Sequence, residues 1–105
     1  MVFGPASLRI SAIEEMRKDG SAPARAAAAA LLGTDSSPES IKAVEEALVD
    51  KNWVVRVTVV KSLALRGDRR QIAALQSMLT DQEQAVRYMA AAGVIRLQAT
   101  GKKAR

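Results

Sequence analysis

Three aspartates, Asp19, Asp50 and Asp81, follow one another at intervals of 31 residues, and Arg25, Arg56 and Arg87 each stand six residues after one of them. Apolar positions keep the same phase. Ile10, Ile41 and Ile72 match, as do Ile13, Val44 and Leu75, then Ala24, Val55 and Val86, then Leu32, Leu63 and Val94. A period of this length, written three times, defines a stack of similar units. One unit cannot bury its apolar face alone, whereas neighbours in a stack can. The question of function therefore moves from a catalytic cluster to the surface that the stack exposes.

Within each unit the apolar period is helical. Ile41, Val44 and Leu48 form a stripe at i, i+3 and i+7. Ser36 or Ser37 can cap that helix and Pro38 suits its first turn. Val55, Val59, Val60 and Leu63 supply the buried face of the helix that follows, and Gly67-Asp68 ends it. The β-branched run Val54–Val60 resembles a strand in isolation, but the matching segments of the other copies are alanine-rich, so register favours helix. The prediction is all-α: three antiparallel pairs with helices near 6–18, 20–33, 38–49, 51–66, 69–79 and 82–98. The single domain holds repeats at about 7–35, 38–66 and 69–98, with a flexible basic tail at 99–105.

Composition bounds the chemistry. The chain has neither histidine nor cysteine, so disulfide frameworks, thiol nucleophiles, His-containing triads and ordinary zinc sites are excluded. No glycine pattern matches a phosphate-binding loop, and no cofactor is expected. Residues 1–15 do not read as a secretory leader, and the apolar run Ala26–Leu32 is far shorter than the ~20 residues of a membrane span. These features fit a cytoplasmic, non-enzymatic protein. The net charge of +5 admits acidic partners.

Asp19, Asp50 and Asp81 are expected to cap the second helix of each unit. Arg25, Arg56 and Arg87 are expected to brace neighbouring units by reaching an aspartate of the adjacent copy. The pattern Asp-x4-Val-Arg, an alanine- or valine-rich helix and Gly-Asp resembles the HEAT-like repeats of the bilin-lyase type. It reads Asp50 to Val55-Arg56, then Gly67-Asp68, and again Asp81 to Val86-Arg87. The resemblance covers about residues 10–98 and implies a right-handed α–α superhelix, an armadillo-like solenoid. It also implies a protein-binding scaffold whose second helices line the concave face. The first copy departs from the pattern with Ala24-Arg25 and Pro23, and places Arg17 where the others have Leu48 and Leu79, which suggests an end unit with water beside it. A piece of a longer array is the alternative.

Positions that vary between copies are where a partner would be read. The candidates are Trp53, Val57, Lys61, Leu65, Tyr88, Met89 and Arg96. Tyr88 and Met89 would anchor a peptide or helix, and Lys61 and Arg96 would hold its acidic group. Self-association through the same patch is a further possibility. So is electrostatic binding of nucleic acid along Arg66, Arg69, Arg70, Lys61, Arg96 and the tail. A role as part of a bilin-lyase-like protein rests on the resemblance alone.

Overall fold

The computed structural model describes residues 5–17 and 20–103. Six α-helices follow in order: α1 (Pro5–Arg17), α2 (Ala22–Leu32), α3 (Pro38–Glu46), α4 (Trp53–Leu65), α5 (Ile72–Gln76) and α6 (Gln84–Lys103). They form three hairpins, α1/α2, α3/α4 and α5/α6. The second helices pack side by side, α2 on α4 and α4 on α6. The Cα envelope measures 44 × 35 × 15 Å. Its thin dimension fits two layers of helices whose axes lie ~10 Å apart.

Local sequence sets the boundaries. The Ser37 side chain accepts the amide hydrogen of Ser40, and Pro38 occupies the first turn of α3. The hydroxyl of Ser21 does the same for Ala24 at the start of α2, beside Pro23. Gly67 lies at φ 73°, a left-handed conformation in which a side chain would be strained, and it turns the chain out of α4. The first helix of the third copy is more broken than the predicted 69–79 span. Short α5 is flanked by 3₁₀ turns at Arg69–Gln71 and Ser77–Thr80. Ser77 Oγ donates to the Ala74 carbonyl at 2.5 Å, a local bond that competes with a regular helix. The last helix runs to Lys103, past the predicted end at 98. Ala104–Arg105, in the predicted flexible tail, and Met1–Gly4 lie outside the described residues.

The core follows the repeat. Val44, Val55, Val59, Val60, Leu63, Leu75, Val86 and Leu97 are fully enclosed, with Ala29, Leu32, Ala43 and Ala90 between them. Small residues let the second helices approach closely. A Cβ added at Gly33 would lie 2.7 Å from Ser62 Oγ, and one at Gly93 would lie 2.8 Å from Leu75 Cδ1 and 3.0 Å from Ala64 Cβ. Gly33 and Ala64 occupy one register position, and Ser62 and Gly93 another, so the two inter-repeat contacts are built alike.

One sequence expectation holds only in part. Leu48 is partly buried and packs against the core, whereas Leu79 is exposed, so the position that holds Arg17 in the first copy lies at the margin of the core. Arg17 sits at the surface, donating from Nη2 to Glu46 Oε1 at 3.1 Å. The periodic stripe places these leucines inward. The chain tightens into a 3₁₀ turn at Ala47–Val49 and again at Ser77–Thr80, which leaves Leu79 at the surface while Leu48 keeps its core contact.

Candidate functional site

The repeated aspartates and arginines meet between repeats. Arg25 Nε donates to Asp50 Oδ2 at 2.8 Å and Nη2 to Oδ1 at 3.1 Å. Arg56 repeats the fork on Asp81, at 2.9 and 3.0 Å. Each arginine also grips a carbonyl of the turn before it, Gly20 for Arg25 and Asp50 for Arg56. Arg87 likewise donates to the Asp81 carbonyl at 2.7 Å. Burial pushes the Asp50 carboxyl up, but hydrogen bonds from Arg25 and the Asn52 amide hold it below the ordinary carboxylate range. The Arg56 guanidinium lowers Asp81 in the same way. Asp19 and its expected cap lie outside the described residues.

The expected cap at Asp50 is corrected. Asn52 caps α4, its side chain accepting the Val54 amide hydrogen at 2.8 Å. The Asp50 carboxylate binds the Asn52 amide, before the helix begins, and Asp81 likewise accepts from the amide of Glu83. The carboxylates thus fix the turn into the helix while facing the arginine of the preceding copy. The helix starts at Trp53, so the end of its amide row lies beyond reach of Asp50.

The other edge of the stack carries a polar cluster that the repeat does not announce. Asp35 accepts from Arg9 Nε at 2.9 Å and from the hydroxyls of Ser37 and Ser40. Those hydroxyl bonds, with Arg9, lower its pKa to about 2. Gln71, buried, donates to Glu45 at 2.6 Å. Asp35, Arg66 and Leu97 share one register position with different chemistry, so phase alone gives no signal for the cluster. The proposed phosphate-contacting arginines are engaged internally. Arg66 Nη2 donates to the Leu32 carbonyl at 2.7 Å, Arg69 reaches the Gln98 carbonyl, and Arg70 forks onto Asp68.

The candidate partner residues separate into two groups. Val57, Lys61, Leu65 and Met89 line one depression of about 470 Å³ that also reaches Ala30 of α2. Trp53, Tyr88 and Arg96 stand outside that lining. Trp53 opens α4 with its ring partly exposed. Tyr88 lies one repeat on from Val57, is 65% exposed, and holds its hydroxyl against Gln84 Nε2 at 2.6 Å. Arg96 lies one repeat on from Leu65 and is exposed. Neither Asp nor Glu occurs anywhere in α2, α4 or α6. The acidic residues sit on the first helices and in the turns, so the layer of second helices is one-sided in charge.

Among the described residues no group of three or more His, Cys, Asp or Glu could hold a metal ion, and no helix is long and apolar enough to cross a membrane. The family model described as HEAT repeats matches residues 11–95. No curated protein matches the chain significantly.

Proposed function

Because the chain belongs to the HEAT-repeat family, we propose that it is a non-enzymatic scaffold that binds a protein segment across its second helices, around Val57, Lys61, Leu65 and Met89. The occupant is an acidic amphipathic helix or peptide. The observation that carries this reading is an apolar depression in a helix layer without a single carboxylate. Apolar side chains of the partner fill the depression, and its carboxylates meet Lys61 and, at the periphery, Arg96. Trp53 and Tyr88 flank the site as secondary contacts.

The test uses a labelled peptide of about 20 residues with a leucine stripe flanked by glutamates. Binding is measured at low and moderate salt for the wild-type chain and for the double variant Leu65→Ala, Met89→Ala. Loss of two apolar anchors weakens binding roughly tenfold or more, since each anchor of this kind contributes about 1 kcal/mol or more. Salt changes the affinity only a few-fold. Unchanged affinity in the double variant sinks the proposal. Binding of single-stranded DNA that collapses steeply with salt would favour the nucleic-acid alternative. The engaged state of Arg66, Arg69 and Arg70 weighs against that outcome. The bilin-lyase-type variant of the reading predicts a shifted tetrapyrrole absorbance on mixing, and no residue described above favours it.

A further inference from the structure

Among the described side chains of the second helices, most cations are already committed. Arg25 and Arg56 fork onto Asp50 and Asp81, and Arg87 donates to the Asp81 carbonyl. Lys61 on α4 and Arg96 on α6 differ. Both are exposed, and among the described residues neither side chain pairs with a carboxylate.

These two cations stand at opposite corners of one patch. Lys61 and Leu65 are a turn apart on α4, and Ala92 and Arg96 are a turn apart on α6. All of them are exposed. The two helices pack on each other with Gly93 against Ala64, so Leu65 and Ala92 flank the middle of the contact. Cations occupy one diagonal and apolar residues the other. The same positions one repeat earlier are Ala30, Thr34, Lys61 and Leu65, with a single cation, so the arrangement is not repeated between α2 and α4.

The diagonal has a length that a partner helix can match. In register Arg96 lies one turn further along its helix than Lys61, and somewhat more by the Gly93–Ala64 contact, a rise of about 6–9 Å. With packed axes about 8–10 Å apart, the diagonal spans about 10–13 Å. Seven residues of an α-helix advance about 10.5 Å, and flexible lysine and arginine side chains take up the difference. Positions i, i+3, i+4 and i+7 share one helix face. Carboxylates at i and i+7 therefore reach the two cations while apolar residues at i+3 and i+4 cover Leu65 and Ala92.

We infer that the partner is a helix with two carboxylates seven residues apart bracketing an apolar pair, and that Lys61 and Arg96 each read one of the two carboxylates. This pairing rests on the docking proposed above and adds to it a spacing and a direction. Each cation accepts one end of the motif, so the bound helix lies one way round.

Two helical peptides of identical composition test the pairing on the intact chain. One carries glutamates at i and i+7 around leucines at i+3 and i+4, and the other exchanges the glutamates with the leucines. The first binds roughly tenfold more tightly. Lys61→Glu and Arg96→Glu alter exposed residues, keep the helical spectrum, and each weaken the first peptide about five- to tenfold. Lysine at one glutamate position restores binding to Lys61→Glu, and lysine at the other position restores binding to Arg96→Glu. Rescue of either variant by either lysine would overturn the inference. So would equal binding of the two peptides. If that equal binding is lost in the Leu65→Ala, Met89→Ala variant, docking across the second helices stands and the spacing falls. If neither peptide binds, both fall.

Discussion

Arg56→Ala lowers the thermal midpoint by roughly 10–20 °C, at about 4–8 °C per kcal/mol for a domain near this size. The side chains of Arg56 and Asp81 are 14% and 9% exposed. The pair therefore lies between an exposed ion pair, at ~1 kcal/mol, and an enclosed one, where removing a partner costs ~3–5 kcal/mol. We place the loss at about 2–3 kcal/mol on that scale. Three donated bonds go, two to the Asp81 carboxylate and one to the Asp50 carbonyl, and Asp81 keeps its charge with the Glu83 amide and the charge of Arg87 to offset it. The sign of the pH dependence follows. Asp81 has its pKa depressed chiefly by Arg56, so its stabilisation is present above the ordinary carboxylate pKa and is lost as pH falls through the lowered value. The gap between wild type and variant therefore narrows below about pH 4. Calorimetry at pH 7 and pH 3 checks both parts. A variant within about 2 °C of wild type at pH 7, less than the shift expected for 1 kcal/mol, would mean that the ladder does not hold the repeats together.

Leu63→Ala costs about 2–5 kcal/mol, while Leu65→Ala on the same helix stays within about 0.5 kcal/mol of wild type. Leu63 is fully enclosed in α4, the central helix of the second-helix layer, whereas Leu65 is 56% exposed. Alanine at 63 leaves a cavity among Val59, Val60 and other core residues fixed by two flanking helices, so little can collapse into it. Alanine at 65 removes a wall of the partner depression and leaves the core intact. Urea unfolding gives the two stabilities, and peptide titration gives the two affinities. The expected pattern is reciprocal: Leu63→Ala reduces stability and Leu65→Ala reduces affinity. Equal stability losses at both positions would show that the exposed face is part of the core.

Much of this fold is written in the phase of the sequence. The period places the three hairpins, Ser37 and Pro38 mark the start of α3, and Gly67 marks the end of α4. Phase says which residues are equivalent, but it does not say which atoms meet. Asp50 and Asn52 are two residues apart, both suited to capping, and only the turn geometry assigns the cap to Asn52. Leu79 continues a helical stripe in sequence, yet the 3₁₀ turn at Ser77–Thr80 leaves it exposed. The Asp35 cluster is hidden because its register position changes from carboxylate to guanidinium to leucine. For the partner face, sequence variation points to seven residues, and the structure gathers four of them. Tyr88 and Arg96, which register pairs with Val57 and Leu65, lie outside that lining although Met89 on the same helix belongs to it.

In the proposed function a partner is held by the carboxylate-free layer of second helices. Amide chemical-shift mapping during titration with the acidic amphipathic peptide tests it most directly. The largest changes are expected at Val57, Lys61, Leu65 and Met89, with weaker ones at Trp53, Tyr88 and Arg96. Changes concentrated on α1 and α3, with the α4 and α6 depression unmoved, would contradict it.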